Sequence, residues 1–126
     1  MKNSIFFLLF SLFSLALTAQ KKIYCVEREV CQWQESTPHK VNCDKIKEIS
    51  TFTLNSDESE IIHNTPDMRS VYTVNSSETI GALKVFVVTS DAGNNYTYIW
   101  NEKKKEMKIL TYFNVVITFK VTKIEQ

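Results

Sequence analysis

Lys84-Val85-Phe86-Val87-Val88-Thr89-Ser90-Asp91-Ala92-Gly93-Asn94-Asn95-Tyr96-Thr97-Tyr98-Ile99-Trp100 consists of two alternating runs on either side of a turn. Gly93 suits the left-handed backbone that a tight hairpin turn requires. Centring the turn on Ala92 sets Val88 opposite Tyr96 and Phe86 opposite Tyr98. The next segment, Glu102-Lys103-Lys104-Lys105, is a second turn, and centring it sets Trp100 opposite Met107 and Tyr98 opposite Ile109. Both registers place Phe86, Val88, Tyr96, Tyr98, Trp100, Met107 and Ile109 on one face. A slip of one residue would reverse every face, so two turns that agree predict a three-stranded antiparallel meander.

Outward from this meander, alternating segments separated by polar turns recur along the chain. A last strand is expected over Val115–Ile124, with Phe119 opposite Ile109 across a turn at Asn114. Upstream, strands are expected over Ile23–Val30, Gln32–Gln34, Thr51–Asn55, Glu60–His63 and Ser70–Val74, with Asn75–Gly81 read as loop. The only helix candidate is a turn or two near Asp44-Lys45-Ile46-Lys47-Glu48. After residue 19 the chain carries 11 Val, 10 Ile and 11 Thr against three Leu, two Ala and two Met. β-branched side chains suit a pleated sheet and lose rotamer freedom in a helix. The expectation is an all-β domain of seven or eight antiparallel strands, either a sandwich or a small meander barrel.

Residues 1–19 read differently. Lys2 precedes the apolar run Ile5–Leu15, and Leu17-Thr18-Ala19 ends it with a small residue before Gln20. That is the layout of a secretory signal peptide. The run is too short for a spanning helix, which needs about 20 apolar residues. No second such run follows, so the expected product is a secreted or periplasmic domain of residues 20–126 without a membrane anchor. That segment has 14 basic and 14 acidic side chains. Zero formal charge offers no electrostatic case for nucleic acid.

Export makes a disulfide the first expectation for Cys25, Cys31 and Cys43. In an extended strand Cys25 and Cys31 lie about 20 Å apart at roughly 3.3 Å per residue, beyond bridging range. A chain that folds back around Thr37 brings Cys31 to Cys43, the favoured pair, with Cys25–Cys43 the competitor. Cys25, Cys31, His39 and Cys43 are also zinc-ligand types, but they lack the close Cys-x2-Cys pair that makes zinc motifs specific. No metal or other cofactor is expected.

Catalytic chemistry is sparse. His63 near Glu60 and Asp67 could serve as a base, but no nucleophile accompanies it. Glu58 and Glu60 sit on an acidic turn, and Ser76, Ser77 and Ser90 have no nucleophile-elbow motif around them. The chain therefore reads as non-enzymatic, a monomeric module for an unidentified protein or small ligand. The candidate binding residues are Tyr96, Tyr98, Trp100 and Gly93. On a core face this aromatic stripe is packing; on an exposed face it is a platform.

Ser90-Asp91-Ala92-Gly93-Asn94-Asn95-Tyr96, followed by Trp100 and the Lys-rich turn, resembles periplasmic inhibitors of C-type lysozyme. Those are small exported β-barrels with a Ser-x-Ser-Gly-x-x-Tyr stretch and a later Trp and Lys. The likeness implies inhibition of a cell-wall hydrolase through the loop at 90–96. Ala92 departs from it, standing where the family has the Ser before Gly most associated with inhibition. The chain is also similar to small exported all-β proteins of Gram-negative bacteria without an assigned role, a likeness that implies no mechanism.

Overall fold

Among the described residues, eight antiparallel strands follow one another around a closed barrel, each paired with its neighbours in sequence and the last with the first. They are β1 (Lys21–Trp33), β2 (Lys40–Leu54), β3 (Glu60–Asn64), β4 (Arg69–Ile80), β5 (Leu83–Ser90), β6 (Asn95–Asn101), β7 (Glu106–Leu110) and β8 (Val115–Glu125). The computed structural model describes residues 20–126, so the expected signal peptide at 1–19 lies outside the described residues. The barrel decides between the two all-β architectures left open by sequence.

The β5–β6–β7 meander forms in the expected register: Val88 faces Tyr96, Phe86 faces Tyr98, Tyr98 faces Ile109 and Trp100 faces Met107. These side chains enter the interior, where Phe86, Val88, Tyr98, Trp100, Met107 and Ile109 pack with Ile23, Cys25, Phe52, Ile61 and Phe119 in one cluster. Burying a large side chain of this kind contributes about 1.5–3 kcal/mol. Phe52 is central to it, meeting Tyr98 and Phe119 edge-on at centroid distances of 5.9 and 4.9 Å.

Four local expectations are corrected. Asp44–Glu48 is strand, not helix, because it pairs with β1 and sets Lys45 opposite Glu29 and Lys47 opposite Glu27. Opposite charges directly across an antiparallel pair stabilise the strand form. Gln32 and Trp33 continue β1 instead of forming a separate short strand. Asn75–Ile80 extends β4, with Glu78 opposite Val85 and Thr79 opposite Lys84. At β8, Phe119 faces Met107 and Ile117 faces Ile109. That register differs by two residues from the expected one, which preserves the buried face. The turn that sets it runs through Tyr112 and Phe113 to Asn114, whose φ is 60°.

Lengths differ around the barrel. β3 has five residues and pairs only with Thr51–Leu54 of β2 and with Arg69–Thr73 of β4. The half of β2 before Thr51 therefore has β1 on one side and no strand on the other, and the β4 half after Thr73 has only β5. Lysines 40, 45 and 47 on the first edge and polar residues 75–79 on the second suit strand edges left open to water.

The alternating strand directions put four turns at one end: 34–39, 65–68, 91–94 and 111–114. The opposite end holds turns 55–59, 81–82 and 102–105 together with both ends of the described chain. These are called the turn end and the terminal end below.

Candidate functional site: the turn end of the barrel

Of the residues singled out from sequence, Tyr98 and Trp100 are fully enclosed in the core, so the aromatic stripe of β6 is packing over most of its length. Tyr96, one step nearer the turn end, is only half-buried and leads outward. Gly93 lies in the 91–94 turn with φ 87°, its N–H donating to Ser90 O at 2.9 Å. The structure thus brings Tyr96 and Gly93 to one rim and leaves Tyr98 and Trp100 beneath it.

The aromatic contacts continue from core to rim. Tyr98 meets Tyr72 at 5.1 Å, Tyr72 meets Tyr96 at 5.6 Å, Tyr96 meets Tyr112 at 5.8 Å, and Tyr112 meets Phe113 at 4.9 Å. The pKa of Tyr96 is raised, first by burial and then by the phenols of Tyr72 and Tyr112. Burial and the neighbouring Tyr72 push Tyr98 up further. The Tyr98 hydroxyl has no well-formed hydrogen bond although Tyr72 is its neighbour. Tyr96 and Tyr98 thus keep neutral phenols at ordinary pH.

At the rim, Tyr112 and Phe113 at the end of this row and Met68 beside it are each more than half exposed, and Trp33 is 42% exposed. Sequence reasoning missed all four as site residues. A signal existed at Tyr112-Phe113: hairpin tips are ordinarily Gly, Asn, Asp or Ser, and turn chemistry does not call for two adjacent aromatics there.

Trp33 is held in place by several elements. Its N–H donates to Asn114 O at 2.8 Å, linking it to the 111–114 turn. His39 stacks on the indole with centroids 5.0 Å apart and rings 14° from parallel. Gln34 Nε2 donates to the carbonyls of Ser36 and Pro38, at 3.3 and 2.7 Å, and so fastens the connecting loop to itself. Beneath the loop a disulfide joins Cys31 to Cys43, with Cα atoms 4.1 Å apart. That is the favoured pairing, and Cys25 is free and buried.

The disulfide occupies two sulfurs that a zinc site would need as thiolates, while Cys25 lies in the main core. The Glu29 carboxylate lies within 4.8 Å of both disulfide sulfurs. Burial pushes the Cys25 thiol up to about 12, with a hydrogen bond to Ser50 acting weakly the other way, so it stays protonated and unreactive.

His63 is also inside. It stacks on Phe52 at 4.2 Å, meets Phe119 edge-on at 5.3 Å, and its Nε2 is buried without a partner. Burial first, and the nearby Arg28 second, lower its pKa to about 4. Arg28 Nε lies 3.7 Å from Glu48 Oε1 beside the open half of β2. Glu58, on its acidic turn, is tied to Lys84 at 2.8 Å. No family model, curated protein sequence or solved structure matches this chain, so the turn end is interpreted from its own residues.

Proposed function

We propose that the protein is an exported, non-enzymatic binding domain that takes a protein or small ligand at the turn end of its barrel. The observation that carries this reading is the gathering of Trp33, Met68, Tyr112 and Phe113 on one rim. Large exposed apolar groups clustered at one place mark interaction sites more often than chance exposure. A neutral His63 enclosed by phenyl rings suits packing better than proton transfer to a substrate, which supports a binding role over a hydrolytic one. Export is supported by the Cys31–Cys43 bridge, since such bonds persist in oxidising compartments. The intact mass of the exported protein should begin at or near Gln20, without added lipid.

The test is a ligand screen by native mass spectrometry against small molecules and peptides. Ligands of the wild type should be lost by a Tyr112→Ser, Phe113→Ser double variant and retained by Lys103→Ala, Lys104→Ala at the other end. Binding indifferent to the turn-end pair would sink the assignment.

A second reading, inhibition of a cell-wall hydrolase through the loop at 90–96, is favoured by the position of that loop. It forms a tight exposed turn on the same rim, with Ser90 N–H donating to Asn94 O at 2.8 Å. Lysozyme inhibition should then rise in Ala92→Ser and fall in Gly93→Ala. Absence of inhibition in every form removes the loop from the account.

A further inference from the structure

Two hollows lie side by side at the turn end, sharing Leu110 and Thr111 as their common wall. One, of about 220 Å³, is lined by Trp33, Asn114, Val115 and Val116. The other, of about 270 Å³, is lined by Asn95, Tyr96, Thr97 and Tyr112. Neither lining contains a charged side chain. The hollows elsewhere on the barrel differ in kind. One is bounded by Lys21 and Glu58, another by Glu27, Glu29, Lys45, Glu106 and Lys120, and a third by Lys84 and Glu102 among others.

Each turn-end hollow is smaller than the roughly 300 Å³ at which sites for drug-sized ligands begin. Each therefore suits one ring-sized unit, and their shared wall suits two units joined together. The lining chemistry narrows the class of unit. An aromatic ring covers an apolar face, while amide and hydroxyl groups at its border exchange hydrogen bonds with a polar belt. A pyranose ring has both features: one face of C–H bonds and an equatorial rim of hydroxyls. A charged ligand would gain nothing from these walls, and a helical or strand-forming peptide would need a longer apolar groove.

We propose that the paired hollows on either side of Thr111 bind a neutral oligosaccharide, with one sugar ring against Trp33 and the next against Tyr112 and Tyr96. The proposal rests on the binding reading above and names the ligand class for the same end. Trp33 is preset for the task, because His39 stacks on it and Asn114 holds its backbone. Tyr96 and Tyr112 are preset by their contact at 5.8 Å. Little side-chain freedom is then lost on binding, which favours affinity.

The protein supplies its own readout. Trp33 lies at the site and Trp100 is enclosed in the core, so a fluorescence change on ligand addition reports on Trp33. The mature protein would be titrated with neutral gluco-, manno-, galacto- and chito-oligosaccharides of two or more units, up to about 10 mM, a range that reaches millimolar affinities. Charged oligosaccharides and a set of aromatic-rich peptides would be run in parallel. The expected result is saturable binding of at least one neutral oligosaccharide, weakened about tenfold or more in Tyr112→Ala and in Tyr96→Ala, and unchanged in Lys104→Ala. Trp33→Phe, read by calorimetry, should retain part of the affinity that Trp33→Ser loses. Peptide binding that depends on Tyr112, without sugar binding, would overturn the ligand class and keep the binding end. Binding of charged sugars alone, or of neutral sugars with equal strength in every variant, would overturn the proposal. No sugar binding would overturn the proposal, and the binding reading falls separately if the ligand screen finds only binding that is indifferent to Tyr112 and Phe113.

Discussion

At one end of the barrel, Trp33, Met68, Tyr112 and Phe113 face solvent from turns and a strand terminus. At the other, Asp57, Glu58, Glu102 and lysines 103–105 occupy the turns, and two ion pairs join separate hairpins: Lys84 to Glu58 at 2.8 Å and Lys21 to Glu102 at 3.2 Å. Both ends close the same meander with short turns, so topology does not account for the difference. The turns of the terminal end carry mostly charge, Gly and Asx residues, with Ile80 the exposed large apolar side chain beside them. The turn end leaves more large apolar side chains in water, as the proposed binding role requires. The two ends also differ in how they are held. Exposed ion pairs are worth about 0–1 kcal/mol each, whereas the turn end has a covalent bridge under it.

Changes in the shared core should erase the contrast altogether. Phe119→Ala removes the ring that meets both Phe52 and His63 and should cost about 4 kcal/mol. Urea denaturation would then show one transition at lower midpoint, with Trp33 and Trp100 reporting together. A variant that unfolds the turn end alone would contradict a single cooperative core.

Next in size is the bridge. Cys31→Ser with Cys43→Ser opens a loop that the disulfide closes over a separation of 12 residues. The expected loss is about 3 kcal/mol, and Trp33 fluorescence should become more exposed while the terminal end is unaffected. Equal loosening of both ends by hydrogen exchange would show that the bridge does not act locally.

The pH dependence of stability probes the interior between the ends. The folded pKa of His63 is about 4, below the 6.5 of an unperturbed imidazole. The unfolded chain therefore binds the proton first, so stability is full above about pH 6.5 and is lost as pH falls toward 4. Integrated from neutral pH down to pH 5, this one group accounts for about 2 kcal/mol. Arg28 lies near it, Glu48 is paired with Arg28, and Phe52 and Phe119 enclose the ring. His63→Phe keeps the stacking and removes the titration, so its denaturation midpoint should fall less between pH 7.5 and 5 than that of the wild type. Identical falls would place the acid sensitivity elsewhere.

Smallest are the surface changes. Tyr112→Ser with Phe113→Ser at one end, and Lys103→Glu with Lys104→Glu at the other, should each shift stability by about 0.5 kcal/mol or less. Only the first pair should alter ligand binding. An equal effect of both pairs on binding would remove the distinction between the ends.

The meander from β5 to β7 was legible because Gly93 and the run of lysines mark two turns whose registers agree on one face. β8 was legible in its face and not in its register, since Tyr112-Phe113 carries no turn signature and a shift of two preserves alternation. The Asp44–Glu48 segment and the continuation of β4 past Asn75 were hidden, because those strands lack a buried apolar row and are held by cross-strand partners such as Glu29 opposite Lys45. Tyr96 and Gly93 could be placed near a site from the hairpin alone. Trp33 could not, because it reaches the rim through a backbone bond to Asn114, far along the chain. The environment of His63 was equally out of reach, since it depends on Phe52 and Phe119 arriving from two other strands.

The seam between β1 and β8 has a kinetic consequence. Every other strand pair joins neighbours along the chain and can form by zipping a hairpin, whereas this one joins residues as far apart as Lys22 and Glu125, more than 100 positions along the chain. Closing so long a loop carries an entropic cost that local pairs do not. The seam should therefore form last, leaving a transient open ribbon with two unsatisfied margins until the final strand docks. Pulse-labelling during refolding should find β1 and β8 amides protected after those of β5 and β6, and simultaneous protection would exclude that order. Before closure the sheet is the most aggregation-exposed species of the folding reaction.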